Sequence, residues 1–345
     1  MKRISSIDIA RGIAIILMIE AHIPIKFAIF DEAKLGLLAA PFFLIISGIS
    51  YEFFLHSRSG YSTSKRDLIL ESLSRSTILY LISISGLFLG SIFIPHIYHF
   101  QFLGWSLIQV IAFGYLLGIS LPNGMKFNTI YIFIIFAITY LINNFFLDSF
   151  SFLVTSGSIQ LPWGSTALLP WLAYFIFGRI MSNLYLNPAL KLKPGSLLFT
   201  LLPLLLLLIM MHYLQYPLTT NSRNTFFIFL LICSAQLLIS SLLILFIDNG
   251  KSSSIIFHIF ERLGKIAFTT YYIHVPIIYI LLGLLTYFIP SIKSFILHII
   301  CLIIVVSFLV IFEGNWRKYN YLFGCEWILR KGTQLLKRSA DKILL

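Results

Sequence analysis

The chain has 345 residues, 59% hydrophobic and 11% charged, with 33 phenylalanines, a mean hydropathy of +0.93 and a formal net charge of +12. A water-soluble globular protein carries roughly twice that charged fraction, so the composition excludes one and places the chain in a bilayer. Apolar runs of about 20 residues recur along the chain, the length of a helix crossing a hydrocarbon core about 30 Å thick, whereas a barrel is built from roughly ten-residue alternating strands.

In chain order the spans are predicted at 12–30, 36–56, 76–94, 102–120, 127–147, 164–181, 196–213, 224–247, 266–289 and 294–312. The fold class is therefore an all-α integral membrane protein. A single bundle of about ten transmembrane helices occupies 1–312, and a basic amphipathic tail occupies 313–345. The first run is entered through Arg3 and Arg11 without a small-residue cleavage site, so it is expected to stay in place as a span. With both termini cytoplasmic, the outer side keeps only Lys26, Lys34, Arg223 and Lys293 of the 25 lysines and arginines. The positive charge then sets topology, attracts anionic lipid and is available to a phosphate-rich cosubstrate; nucleic acid is not expected as a partner, for want of a soluble domain to present such a surface. In the tail, CEWILRKGTQLLKRSADKILL reads as an interfacial helix with Trp327, Ile328, Leu335 and Leu336 on lipid.

Ionisable side chains inside spans are costly and usually face a cavity or one another. The opening RISSIDIARGIAIILMIEAH holds the strongest set. At about 100° per residue, Arg11 and His22 lie about 20° apart around the helix and Asp8 within about 60° of Arg11, forming a stripe that runs about 16 Å inward. An imidazole at that depth is a base able to accept a proton from a hydroxyl or an amine, so His22 is the first catalytic candidate. Glu20 falls on the opposite side of the helix and should meet a neighbouring helix, as a supporting partner or as a carboxyl kept protonated by burial.

In the second span the small residues of LIISGISYEFF favour close helix packing, and Glu52 is expected to pair with Arg58 or Arg75. The fourth span, GWSLIQVIAFGYLLG, carries Trp105 and Gln109 on one face, with an amide that needs a partner: either a structural network or the substrate. In the sixth, Pro170 is expected to interrupt the helix, and Trp163 is an aromatic-belt anchor or a sugar platform. The ninth, GKIAFTTYYIHVPIIYI, places Thr270 and His274 on one face with Tyr271 beside His274, and Pro276 should disturb the helix locally. His274 has an orienting or a directly catalytic role open to it. Cys233, Cys301 and Cys325 are scattered and suggest no disulfide framework, and no histidine–carboxylate spacing suggests a metal.

These segments resemble the superfamily of integral membrane acyltransferases that includes the sugar O-acetyltransferases and heparan-alpha-glucosaminide N-acetyltransferase. SIDIARGIAIILMIEAH followed by PFFLIISG is similar to the family's Asp, Arg-Gly, apolar run and His in the first membrane helix. FTTYYIHVP is similar to a Tyr–His–Pro ending of the O-acyltransferase branch, whereas GWSLIQVIAFGYLLG and LLPWLAYFIFG look more like the heparan-type branch. The chain departs from the latter at two places. The heparan-type enzyme has Asn at the His22 position and its catalytic histidine in the following loop, where this chain has Lys26, Asp31 and Lys34; Val110 stands where that branch has an arginine.

The resemblance implies transfer of an acyl group, most often acetyl, from cytoplasmic acetyl-CoA to a carbohydrate hydroxyl or amine. It implies a multi-pass protein of the cell membrane, with His22 as base and direct transfer in a ternary complex. The resemblance matches Arg11 to the family's inner arginine, and the reading of the polar residues adds His274 and Glu20 to catalysis, Asp8, Arg75 and Arg58 to the donor's vestibule, and Gln109, Trp105, Tyr271 and Trp163 as candidate contacts of the acceptor. No metal is expected. The partners expected are a carbohydrate or glycolipid acceptor, membrane lipids and, as an open alternative, a second copy of the chain. A transporter or flippase for a small polar solute or lipid-linked sugar is the alternative function, since buried histidines and interrupted spans suit it too.

Overall fold

The computed structural model describes residues 4–23, 32–59, 64–93, 106–121, 124–145, 168–186, 225–248, 254–289 and 294–343. These are helical throughout, with turns between: α1 Ser5–Ala21, α2 Glu32–Ser59, α3 Lys65–Phe93, α4 Leu107–Ser120, α5 Met125–Phe145, α6 Leu168–Leu186, α7 Thr225–Leu243, α8 Ile255–Lys265, α9 Ala267–Phe288, α10 Ser294–Trp316 and α11 Cys325–Ile343. Among the described residues five segments are long and apolar enough to cross a membrane: Leu38–Arg58, Lys65–Ile92, Met125–Ile142, Ala267–Phe288 and Phe295–Tyr319. Large apolar side chains stand exposed along these helices, among them Phe88 and Ile92 on α3, Phe133 on α5, Tyr287 on α9 and Ile303 and Ile311 on α10. Water would not tolerate that outside; hydrocarbon requires it. The expected span 196–213 lies outside the described residues.

Pro170 is the third described residue of α6, and the residues before Leu168 lie outside the described ones. Residues 255–265, between two expected spans, form the strongly amphipathic helix α8. Pro276 lies inside α9, which runs unbroken through it.

The chain divides into two compact units. One comprises Lys2–Phe43 and Leu242–Trp327. Its centre is the crossing of α1 and α8, where backbones touch through glycine: a Cβ on Gly12 would lie 1.9 Å from the Phe260 carbonyl oxygen, and one on Gly264 1.9 Å from that of Asp8. Arg262 ties α8 to α10, donating from Nε to Glu313 at 2.6 Å and from Nη2 to the Val310 carbonyl at 2.6 Å. Tyr321 donates its hydroxyl to the same carboxylate at 2.8 Å, so the fully buried Glu313 is satisfied from two sides. Glu326 caps the start of α9, accepting from the Phe268 and Thr269 amides at 2.8 and 3.2 Å and from the Thr269 hydroxyl at 2.5 Å. A carboxylate at a helix N-terminus meets both unpaired amides and the positive end of the helix dipole. Its burial nevertheless pushes the Glu326 carboxyl above the usual range.

The other unit comprises Leu44–Ser241 and Ile328–Leu345 with Met1. Here α2 and α6 also meet backbone to backbone: a Cβ on Gly48 would lie 2.0 Å from the Phe175 carbonyl oxygen, and one on Gly178 2.0 Å from that of Ile45. Ser76 donates to the Ala112 carbonyl at 2.7 Å, and the Ser83 and Ser106 hydroxyls bond one another, joining α3 to α4. In a bilayer such hydroxyl bridges and close glycine contacts hold helices together where apolar burial supplies no driving force.

Candidate active site

Where α1 ends, the His22 ring meets His274 of α9 edge to face, with centroids 4.9 Å apart and planes at 86°. His22 Nδ1 donates to the Met18 carbonyl at 2.7 Å, and His274 Nδ1 donates to the Thr270 carbonyl at 2.9 Å. A carbonyl oxygen can only accept, so in each ring Nδ1 carries a proton, and in the neutral ring the lone pair is then on Nε2. Two imidazoles therefore share one locus, each anchored through Nδ1. His274 is 2% exposed, and its Nε2 has no hydrogen-bond partner among the described residues. Tyr271 stands 6.2 Å from the His274 ring and stacks at 6.4 Å with Phe43, so aromatic surface flanks the imidazoles.

Glu20 faces α10, as its place on the helix wheel requires. Its Oε1 lies 3.3 Å from Nε2 of His298, which is 7% exposed. The sequence reading passed over His298, although an imidazole inside SFILHIICLIIVVSF is a legible signal by the same rule that singled out His22.

Asp8 and Arg11 pair with one another at 2.8 Å in the unit that carries His22. Arg58 and Arg75, in the other unit, converge on Glu71 at 2.9 and 3.3 Å, and the Arg75 guanidinium lies 4.1 Å over the Phe54 ring. The pairing expected between Glu52 and those arginines is overturned. Glu52 takes Arg179 instead, with Nε donating at 2.5 Å, because the glycine contact of α2 with α6 brings residue 179 to it while Glu71 on α3 serves Arg58 and Arg75.

Gln109 is the third residue of α4. Its Oε1 accepts from the Ser106 amide at 2.6 Å, and Ser106 Oγ accepts from its amide at 3.2 Å, a reciprocal cap that satisfies the helix start. The structural reading of Gln109 is thus the one its geometry supports. Trp105 and Trp163 lie outside the described residues, as do Lys26 and Asp31. The Cys325 thiol is pushed up to about 12 by burial and by the neighbouring Glu326, far from a thiolate nucleophile. Among the described residues no three His, Cys, Asp or Glu side chains are grouped to hold a metal ion.

The family model for the catalytic domain of heparan-alpha-glucosaminide N-acetyltransferase matches residues 3–205. The chain belongs to that family. The heparan-type match covers α1 to α6, and with them His22, Arg11, Arg58, Arg75 and Arg179, whereas His274 and His298 lie past its end. Of the two branches the sequence resembles, the match falls on the heparan type, whose members are membrane acetyltransferases using acetyl-CoA as cosubstrate. No curated protein matches the chain.

Proposed function

We propose that the protein transfers an acetyl group from cytoplasmic acetyl-CoA to a hydroxyl or amine of a carbohydrate or glycolipid acceptor, with His22 as general base. The observation that carries this reading is the His22–His274 pair, two imidazoles in edge-to-face contact with each Nδ1 held by a backbone carbonyl one helical turn earlier. The protein is read as a multi-pass protein of the cell membrane with both termini cytoplasmic, following the distribution of its lysines and arginines.

The residues present suit the donor. Arg58 and Arg75 converge on the carboxylate of Glu71, and the buried Nε of Arg75 has no acceptor among the described residues. Such a cluster matches phosphate oxygens. Arg11 is already balanced by Asp8 and contributes less net charge. Acetyl-CoA supplies an acetyl group activated as a thioester. His22 Nε2 takes the acceptor's proton as its oxygen or nitrogen attacks, and the Met18 carbonyl holds the ring in the required tautomer. His274 orients the base from the side, and Tyr271 offers an aromatic face to a sugar ring. Direct transfer is favoured over an acyl-enzyme, since Cys325 is held as a thiol.

The test is incubation of purified protein with labelled acetyl-CoA and candidate glycans, with mass analysis of the products. His22→Ala should abolish acetyl transfer while coenzyme A binding persists. Full turnover by that variant would remove His22 from the role of base.

A further inference from the structure

The first turns of α9 carry a hydroxyl that the helix does not use. A helical threonine can return its hydroxyl to the carbonyl four residues earlier. Three do so here: Thr139 donates to Ile135 at 2.7 Å, Thr286 to Leu282 at 2.8 Å and Thr333 to Leu329 at 2.6 Å. Thr270 is 0% exposed, and its Oγ1 is buried without a hydrogen-bond partner among the described residues. The Ile266 carbonyl one turn earlier accepts its amide at 2.8 Å but not its hydroxyl. Neighbouring Thr269, by contrast, donates to Glu326 and accepts from the Cys325 amide at 2.9 Å. A buried hydroxyl with nothing to bond is unfavourable, so its presence calls for a group that meets it during function.

What lies beside the hydroxyl decides which group that is. His274 follows one turn later on the same face of α9, and its ring leans back to the Thr270 carbonyl through the Nδ1 bond of 2.9 Å. His22 meets that ring edge to face, and all three residues belong to the one compact unit of Lys2–Phe43 and Leu242–Trp327. A hydroxyl able to donate therefore accompanies the imidazole pair. Acyl transfer from a thioester requires such a donor. As the acceptor's oxygen or nitrogen bonds to the carbonyl carbon, the C=O π pair moves onto oxygen, and a buried oxyanion has no water to solvate it. The guanidinium of α1 cannot serve, since Arg11 stands about 16 Å back along that helix from His22 and pairs with Asp8.

We propose that Thr270 is a catalytic residue whose hydroxyl donates to the thioester carbonyl oxygen as that oxygen becomes an oxyanion. The inference rests on the acetyl-transfer reading and deepens it. The acceptor's proton passes to the imidazole as the new C–O or C–N bond forms. Collapse of the tetrahedral intermediate re-forms C=O and breaks the C–S bond, and the departing thiolate takes that proton, leaving coenzyme A thiol and acetylated acceptor. The Thr270 proton stays on its own oxygen throughout. Because the charge it meets develops only during reaction, the hydroxyl acts on kcat and not on donor binding.

Turnover by the full-length protein in detergent tests it, with acetyl-CoA as donor and glucosamine, which offers an amine and hydroxyls, as acceptor probe. Thr270→Val keeps the shape and removes the donor. Its kcat should fall about 100-fold, as for loss of one oxyanion donor, with the KM for acetyl-CoA held within about twofold. Thr270→Ser keeps the hydroxyl and should restore most of kcat. The thermal midpoint of Thr270→Val should hold or rise, because the hydroxyl has no bond to lose; a hydroxyl with a purely structural role would lower it. If Thr270→Val fails to fold, Thr270→Cys, which keeps the size and weakens the donor, makes the same comparison. Full turnover by Thr270→Val, a loss confined to KM, a lowered midpoint, or no recovery in Thr270→Ser overturns the role of Thr270; the acetyl-transfer reading still stands if His22→Ala is inactive. Absence of transfer by the unsubstituted protein, to glucosamine and to the glycans of the labelled screen alike, overturns that reading and this inference together.

Discussion

Gly264→Ala probes the crossing that sets α1, and with it His22. The added Cβ would lie 1.9 Å from the Asp8 carbonyl oxygen, where ordinary contact begins at 3.4 Å. The obstacle is backbone within a helix, so no side chain can swing aside; α8 and α1 must move apart by about 1.5 Å over their central turns. Overpacking of this kind costs about 1–3 kcal/mol, and a close backbone contact belongs at the upper end. A matched control is Gly283→Ala on α9, where a Cβ would find nothing within 4 Å. There the exchange should be neutral or stabilising by about 0.5–1 kcal/mol, the helix-propensity difference between the two residues. Thermal unfolding in detergent, followed alongside acetyl transfer, reads both. Gly264→Ala should lower the midpoint by several degrees and reduce turnover, whereas Gly283→Ala should hold or slightly raise the midpoint and keep turnover. Gly12→Ala strains the same crossing through the Phe260 carbonyl, so the double variant with Gly264→Ala should lose less than the sum of the singles. An unshifted midpoint in Gly264→Ala, or full additivity in the double variant, would refute the backbone contact.

Three further outcomes are expected. His274→Asn should slow acetyl transfer by about 10–100-fold without weakening coenzyme A binding, a smaller loss than for His22→Ala because the ring orients the base; a larger loss than His22→Ala would exchange the two roles. Glu313→Gln should destabilise the protein by up to about 3 kcal/mol by breaking its bond with Arg262, which is one-third exposed and able to recover some water, and Arg262→Met combined with it should restore part of the loss. Cys325 should resist maleimide at pH 8 in the native protein, with roughly a thousandfold less thiolate than an ordinary cysteine, and react fully once unfolded; rapid native labelling at that position would contradict its burial.

The legible part of the candidate site was the part with local causes. His22, Glu20 and His274 stand out because an ionisable side chain in an apolar run is costly wherever the chain folds, and helical periodicity alone turned Glu20 away from the Arg11 stripe. His298 obeyed the same rule and was available to be read. Gln109 was left between a structural network and the substrate because a hydropathy window does not see that Ser106 and Gln109 form a helix start.

By itself the sequence determined that the chain is helical and membrane-embedded, where most of its helices run, and which polar groups deserved attention. These follow from composition and from one-dimensional periodicity, which every residue reports about its own surroundings. Only the tertiary structure decided partnership. That His22 faces His274, that Glu20 meets His298 and that Glu52 chooses Arg179 over the nearer-in-sequence Arg58 are facts of helix crossing, set by a few glycines whose close contacts lie hundreds of positions away in sequence or on another helix. An ion pair depends on distances between helices, and no periodicity within one helix encodes them.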